Sequence, residues 1–88
     1  MNVEFTRSFE KQLDRITDAK LKDEIAKVVG EVISAKSLNT ISSIKKLKGY
    51  KSAFRIRTGN YRIGIIFHQQ TVYFAAVAHR KEIYKFFP

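Results

Sequence analysis

The 88-residue sequence has no cysteine, which excludes disulfides, zinc–thiolate sites and a cysteine nucleophile. It has no long apolar run either: the longest, Val72 to Ala78, is far too short to span a bilayer. Its first residues lack the basic region and apolar stretch of a signal peptide. With only two histidines, a structural metal site is not expected. We therefore expect one cytoplasmic soluble domain over residues 1–88, without cofactor, metal or membrane partner.

Acidic residues are missing from more than half of the chain. Residues 1–31 hold six Lys/Arg and seven Asp/Glu, whereas residues 32–81 hold ten Lys/Arg and no acid at all. The whole net charge of +9 therefore comes from one continuous stretch. A merely solvated surface usually mixes the two signs. The segregation favours a polyanion-binding surface, with non-specific adhesion or an acidic protein partner as the alternatives.

The first third of the chain predicts a strand followed by two helices. Met1–Phe5 can form a short strand, and Thr6 and Asp18 are the predicted N-caps of the two helices. The apolar residues behind each cap recur at helical spacing, which indicates core packing and no cofactor-binding motif. These residues are Phe9, Leu13 and Ile16 in the first helix, and Leu21, Ile25, Val28, Val29, Val32 and Ile33 in the second.

The rest of the chain predicts a connector and a three-stranded meander. Residues 37–49 are rich in Ser, Asn, Thr and Lys, with a short helical turn anchored by Ile41, Ile44 and Leu47. Strands are predicted at 52–58, 61–68 and 72–79, joined by turns at Gly59-Asn60 and Gln69-Gln70. The expected fold is α+β: an N-terminal strand and a two-helix hairpin packed on one face of an antiparallel sheet, in the order β-α-α-β-β-β with a short C-terminal helical turn. The other face of the sheet is expected to be free.

A two-residue turn at Gly59-Asn60 places three arginines on this second face. Arg57 then pairs with Arg62, and Arg55 with Gly64, across the first hairpin. Like charges directly opposite cost from a few tenths to about 1 kcal/mol, so bound phosphate would relieve a local conflict. We call this surface the arginine face. The second turn is expected to add Tyr73, Ala75, Val77 and His79 to it, with Gly64 and Ala75 leaving room for a nucleic-acid backbone or base.

Two alternatives to this interpretation stay open. Long arginines can splay into water and cover apolar sheet with their stems. A three-residue turn would reverse the side-chain parity and scatter the arginines.

Four short motifs resemble the RelE/ParE superfamily of type II toxin–antitoxin toxins, and its RelE branch in particular. In chain order these are Leu47-Lys48-Gly49, Phe54-Arg55-Ile56-Arg57, Gly59-Asn60-Tyr61-Arg62-Ile63 and His79-Arg80-Lys81-Glu82-Ile83-Tyr84. With the helical hairpin in front of them, the resemblance covers essentially the whole chain. The interval from Arg80 to Tyr84 is shorter than in some RelE relatives.

The resemblance implies a toxin that cuts mRNA in the ribosomal A site and is neutralised by an antitoxin that wraps around it. It identifies Arg62 with the family's phosphate-binding arginine, and Arg80 and Tyr84 with its C-terminal arginine and tyrosine. Arg55 and Arg57 fall where relatives often carry lysine or arginine. Lys48, Lys51 and His79 are further candidate RNA contacts, and the net charge of +9 predicts that the antitoxin is acidic.

Elementary chemistry is consistent with RNA cleavage. The 2′-hydroxyl of RNA is the nucleophile, so the protein must remove its proton, stabilise the phosphorane and assist the leaving 5′-oxygen. Arginines suit the second task, and a tyrosine or a lysine with a lowered pKa suits the first; a cation-rich pocket favours tyrosinate. The sequence offers no carboxylate cluster for magnesium. The alternatives are a ParE-like DNA gyrase inhibitor without nuclease activity, and a plain nucleic-acid-binding module or a decayed toxin that retains only antitoxin binding.

The remaining aromatic and histidine side chains have their own expectations. Phe86 and Phe87 are expected to close the core, Tyr73 to lie where a base could stack on it, and Tyr61 to pack at the turn. His68 is expected to be exposed, and His79 is a candidate proton carrier beside Arg80.

Overall fold

The computed structural model describes residues 1–88, which fold into one sheet with two helices on one side. The sheet has five strands in the order β1-β5-β4-β3-β2; β1 runs parallel to β5 and the other neighbours are antiparallel. The elements are β1 Asn2–Phe5, α1 Arg7–Asp14, α2 Ala19–Ser34, a 3-10 turn Leu38–Thr40, β2 Ile44–Lys46, β3 Ala53–Thr58, β4 Tyr61–His68, β5 Thr71–His79 and a 3-10 turn Ile83–Lys85. The predicted α+β fold is confirmed.

Both helices start at the predicted caps. The Thr6 hydroxyl oxygen accepts a hydrogen bond from the backbone N–H of Phe9 at 3.2 Å, and Asp18 Oδ1 accepts from the N–H groups of Lys20 and Leu21. Thr6 also donates its own N–H to the carbonyl of Phe74 at 3.0 Å, so the cap joins α1 to β5. Because one residue ends β1 and starts α1, the helix is fixed against the sheet at its first turn.

The main core lies between the helices and one face of the sheet. Phe9, Ile25 and Val32 from the helices are buried, as the apolar stripes predicted. Phe9 packs against Phe74 with ring centroids 5.5 Å apart, and Phe5 extends this aromatic group at the edge of the sheet. The strands contribute Ile56, Ile63, Ile65, Val72, Phe74 and Val77.

The hairpin turns set the register that the sequence predicts for β3 and β4. Thr58 pairs with Tyr61 and Arg57 with Arg62, so the turn contains two residues, and Gly59 takes the left-handed conformation with φ +59°. The three-residue alternative is thereby excluded. Gln69 and Gln70 close the second turn, both with positive φ.

A β-bulge changes the parity of β5. Gly64 pairs with Ala76 but Ile65 pairs with Phe74, which leaves Ala75 as the extra residue. The expectation that Val77 and His79 lie on the arginine face was wrong, because one extra residue moves every side chain beyond it to the other face. Val77 is buried in the helix-side core and His79 pairs with Tyr61, while Tyr73 remains on the arginine face.

The arginine face is not entirely free, because the C-terminal segment packs on half of it. Ile83 and Phe87 are buried there, in a second apolar cluster with Leu47, Ala53, Ala76 and Ala78. The Phe87 ring fills the space above Gly64, so the open floor expected at that glycine was wrong. Phe87 closes this cluster as predicted, whereas Phe86 is half exposed and does not.

The connector contains a strand that the sequence did not predict. A short helical turn is present at Leu38–Thr40, before the residues that were expected to anchor it, and Ile44–Lys46 instead adds β2 to the free edge of β3. The carboxylate of Glu31 holds the entry to this strand by accepting hydrogen bonds from the N–H and hydroxyl of Ser42, at 2.9 and 3.1 Å. Only three residues pair, so there is too little alternation in the sequence to reveal the strand.

None of the helices combines the length and the apolar character needed to cross a membrane.

Candidate nucleic-acid interface

An open cleft of about 700 Å³ lies on the arginine face, between β2 and the C-terminal segment. Six of its nine lining residues are cationic and none is acidic. The surface is therefore suited to a polyanion rather than to an apolar ligand. The lining residues are Ser43, Ile44, Lys45, Arg55, Arg57, Arg62, Arg80, Lys81 and Tyr84.

Arg62 is the arginine that the protein holds most firmly. Its Nη1 donates to the carbonyl oxygens of Gly59 and Tyr61, at 3.1 and 3.0 Å. Partial burial lowers the pKa of Arg62 from its ordinary value, and the charges of Arg57, Arg80 and Arg55 lower it further. The guanidinium remains a cation in this setting because its ordinary pKa is so high. Its remaining N–H groups are available to an anion.

The C-terminal segment brings Arg80 and Tyr84 to the cleft. The N–H of Arg80 donates to the carbonyl of Asn60 at 2.7 Å, which fixes the start of the segment at the β3–β4 turn. Buried Ile83 fixes its middle, and the N–H of Phe87 donates to the carbonyl of Ile83 at 2.9 Å. Two apolar anchors therefore position two polar side chains that themselves stay exposed.

Tyr84 stands in the positive field of the cleft. Its side chain is 71% exposed, and the guanidinium carbon of Arg55 lies 5.1 Å from its ring centroid. Hydrogen bonding from Arg55 lowers the pKa of the Tyr84 phenol, the charge of Arg55 lowers it again, and Arg62 and Lys45 add smaller effects in the same direction. Tyrosinate is thus easier to form here than in water, as the sequence-based chemistry requires.

The structure brings together five of the predicted site residues and leaves three apart. Arg55, Arg57, Arg62, Arg80 and Tyr84 all line the cleft. Lys48 and Lys51 do not; they are exposed in the connection between β2 and β3, at the end of β3 away from the Gly59-Asn60 turn.

His79 also lies outside the cleft, because the bulge turns it toward the other face. Its ring packs edge-on against Tyr61 at 5.6 Å, and its Nδ1 accepts the N–H of Lys81 at 3.1 Å. This histidine is half-buried, and its hydrogen bond helps to hold the backbone at the start of the C-terminal segment.

Sequence reasoning missed Lys45, Lys81, Ser43 and Ile44 as cleft residues. Lys81 directly follows the predicted residue Arg80, and this adjacency could have identified it. No sequence signal identifies Lys45, because its position in the cleft depends on the unpredicted strand β2. No group of three or more His, Cys, Asp and Glu side chains is placed to hold a metal ion.

The fold and the cleft define a class of protein: a small basic α+β domain with an acid-free arginine cleft on the sheet face opposite its helices. Comparison with known proteins makes the class specific. Residues 3–84 match the family described as the ParE toxin of type II toxin–antitoxin system, parDE. The chain therefore belongs to the RelE/ParE superfamily and is a toxin of a type II toxin–antitoxin system.

The relatives place it near RelE toxins. It is 42% identical over 89 residues to Toxin RelE3 of Methanocaldococcus jannaschii, with both chains fully covered. It also matches a chain in the crystal structure of the RelB–RelE antitoxin–toxin complex from Methanococcus jannaschii, with 40% identity, a TM-score of 0.81 and coverage of 96% and 98%. The YoeB dimer structure from Staphylococcus aureus matches with a TM-score of 0.73 at 16% identity, covering 90% of this chain and 95% of that one, and this likeness concerns the fold alone.

Proposed function

We propose that this toxin is an endoribonuclease that cleaves mRNA in the ribosomal A site, without a metal ion, and so inhibits translation. The observation that carries the proposal is the cleft itself, which four arginines line together with a tyrosine of lowered pKa. A protein that only binds a partner surface has no need for an activated tyrosine beside a phosphate site. The 42% sequence identity to Toxin RelE3 supports the same class of reaction.

Each cleft residue has a place in this reaction. Tyr84 takes the proton from the 2′-hydroxyl, and its lowered pKa raises the fraction of tyrosinate available near neutral pH. Arg62, held by two carbonyls, binds the scissile phosphate and stabilises the charge that develops on the phosphorane. Arg57 adds to that stabilisation, and Arg55 keeps the pKa of Tyr84 low and binds RNA phosphate beside it. The bond from phosphorus to the 5′-oxygen breaks as the 2′-oxygen bonds to phosphorus. Arg80 stabilises the leaving 5′-oxygen electrostatically and water supplies its proton, since the high pKa of Arg80 makes it a poor proton donor.

Lys48, Lys51 and His79, the remaining predicted RNA contacts, take no part in the cleavage step. Lys48 and Lys51 are placed to attract nucleic acid leaving the cleft along β3, which would affect association more than the chemical step. His79 supports the start of the C-terminal segment and with it the position of Arg80.

The proposed partners follow from charge and family. The ribosome with its bound mRNA is the substrate complex, and a cognate acidic antitoxin is the inhibitor. A net charge of +9 favours an antitoxin segment rich in Asp and Glu. The crystallised relative from Methanococcus jannaschii is a complex of RelE with its RelB antitoxin.

The test is single-turnover cleavage of mRNA on programmed ribosomes. Arg62→Ala and Tyr84→Phe are each expected to slow cleavage about 100-fold or more, the usual effect of removing an electrostatic or acid–base group. Exposed Arg7 and Tyr50 lie outside the cleft and offer matched controls, Arg7→Ala and Tyr50→Phe, which should cleave at the wild-type rate. Wild-type rates in both cleft variants would overturn the assignment.

A second function is favoured by the family description, which names ParE toxins. A ParE-like protein would inhibit DNA gyrase by binding and would cut no RNA. Induced expression separates the two: an immediate stop in translation with new mRNA 5′ ends supports the nuclease. Filamentation with DNA damage, together with inhibition of gyrase supercoiling in vitro, supports the gyrase inhibitor.

A further inference from the structure

The cleft carries more positive charge than one phosphodiester requires. Six cations line it, whereas the scissile phosphate has a single negative charge. Cross-strand register divides the cations on the sheet into two rows. Arg57 pairs with Arg62 in the first row, and Lys45 pairs with Arg55 in the second. Successive residues on one face of a strand lie about 7 Å apart along the backbone, so the two rows present two pairs of cations spaced along the cleft.

The second row is a built feature of the fold. Lys45 reaches it only because β2 pairs with the edge of β3, and the start of β2 is tied to α2 through Glu31 and Ser42. The N–H of Arg57 also donates to the carbonyl of Ser43 at 3.1 Å, which ties the same strand to the first row. Lys46, the next residue, alternates to the opposite side and does not line the cleft.

The positions of Tyr84 and Arg80 set the direction in which RNA crosses the two rows. The 2′-hydroxyl that attacks a phosphate belongs to the nucleotide on its 5′ side. Tyr84 lies against Arg55, so that ribose faces the second row. The segment carrying Arg80 begins at Asn60, beside the first row, which places the leaving 5′-oxygen at that end. RNA therefore enters the cleft with its 5′ side toward β2.

We propose that Lys45 and Arg55 form a second phosphate subsite, which binds the phosphate on the 5′ side of the scissile one. This subsite rests on the proposed function for its direction, since Tyr84 is taken as the base. It adds a substrate requirement: the nucleotide that supplies the 2′-hydroxyl must itself carry a 5′-phosphate. It also explains why an exposed edge strand carries a lysine directly opposite Arg55.

The test uses two inert dinucleotides of the same sequence, both 2′-O-methylated. One carries a phosphate at its 5′ end and the other a 5′-hydroxyl, so they differ only in the phosphate that the subsite would hold. Binding is followed by NMR titration of the ¹⁵N-labelled toxin at constant ionic strength. The 5′-phosphorylated form is expected to bind about three- to fivefold more tightly, the usual size of one exposed charge contact.

Variants locate the preference. Lys45→Ala and Lys45→Gln should each weaken binding of the 5′-phosphorylated form about threefold and leave the 5′-hydroxyl form nearly unchanged. Lys46→Ala removes the same charge outside the cleft and should preserve the preference. Thermal unfolding of each variant checks the fold. Equal affinities in the wild type, no binding of either dinucleotide, a preference that survives both Lys45 variants, or one that Lys46→Ala abolishes equally would overturn the subsite.

The binding test is independent of the cleavage test. If the toxin prefers the 5′-phosphorylated dinucleotide but does not cut ribosome-bound mRNA, the subsite is supported and the proposed nuclease function is refuted. If it cuts mRNA but shows no such preference, the function is supported and the subsite is refuted.

Discussion

Phe87 lies directly over Gly64, so closely that a Cβ atom on Gly64 would stand 2.4 Å from Cγ of the phenyl ring. Gly64 pairs with Arg55 across β3 and β4, and Phe87 ends the segment that carries Arg80 and Tyr84. The absence of one side chain in the sheet therefore sets the position of two candidate catalytic residues. Four predictions follow from this contact and from the charges around it.

Gly64→Ala is expected to destabilise the protein and to reduce cleavage. The new methyl must displace the Phe87 ring, which is overpacking of the kind that costs about 1–3 kcal/mol, and the C-terminal segment moves with the ring. Gly30→Ala is the matched control: it lies in α2 with open space around it and should stabilise by up to about 1 kcal/mol. Urea unfolding and single-turnover cleavage measure both variants. Unchanged cleavage by Gly64→Ala would show that Phe87 does not position the cleft.

Phe87→Ala should reduce the free energy of unfolding by about 3 kcal/mol, since the ring is buried among Leu47, Ala53 and Ala76. Cleavage should fall as well, because the segment loses its last apolar anchor. Phe86→Ala is the control for chain position and residue type, and half-exposed Phe86 should change both quantities little. Equal effects of the two substitutions would contradict the role assigned to Phe87.

The Tyr84 phenol is expected to titrate below the ordinary tyrosine pKa of about 10. Arg55→Gln should raise that pKa, because it removes the hydrogen bonding and the charge that lower it. The sign follows for activity: a higher pKa means less tyrosinate at a given pH, so the rising limb of the cleavage rate shifts to higher pH. NMR titration of ¹³Cζ-labelled tyrosine follows the phenol, with Tyr84→Phe identifying its resonance. A phenol pKa that is the same with and without Arg55 would refute this coupling.

Arg57→Gln should stabilise the free protein while weakening its function. Arg57 faces Arg62 directly, and relief of like charges across a strand pair is worth a few tenths to about 1 kcal/mol. Inorganic phosphate at constant ionic strength should raise the unfolding temperature of the wild type more than that of the variant, since a ligand that binds only the folded state stabilises it. Lys36→Gln, an exposed change of equal charge outside the cleft, should show neither effect. A variant that is less stable than the wild type would contradict this interpretation.

Local patterns in the sequence were enough to predict most of the helices and strands and the register of β3 against β4. Thr6 and Asp18 predict the starts of the two helices because an N-cap depends only on the next few residues. The Gly59-Asn60 turn sets the pairing of Arg57 with Arg62 for the same reason, since a two-residue turn leaves one register. The placement of Arg55, Arg57 and Arg62 on one face was therefore predictable without any tertiary information.

Three features depended on contacts between distant parts of the chain. The bulge at Ala75 appears where β5 leaves β1 and turns to meet Thr6 and Gln12; Gln12 accepts the N–H of Val77 at 2.8 Å. β2 exists because Glu31 and the edge of β3 hold three residues that have no strand pattern of their own. The position of Phe87 over Gly64 required the fold to bring residues far apart in the chain together.

The sequence by itself determined the charge of the surface and the shared face of Arg55, Arg57 and Arg62, because composition and strand parity are local properties. Only the tertiary structure decided which of those cations share a cleft. It brought Lys45 in through β2, turned His79 away through the bulge, and placed Tyr84 against Arg55 through the packing of Ile83 and Phe87. The physical reason is that strand pairing at an edge and burial of apolar anchors depend on residues distant in the chain, which no short window of sequence contains.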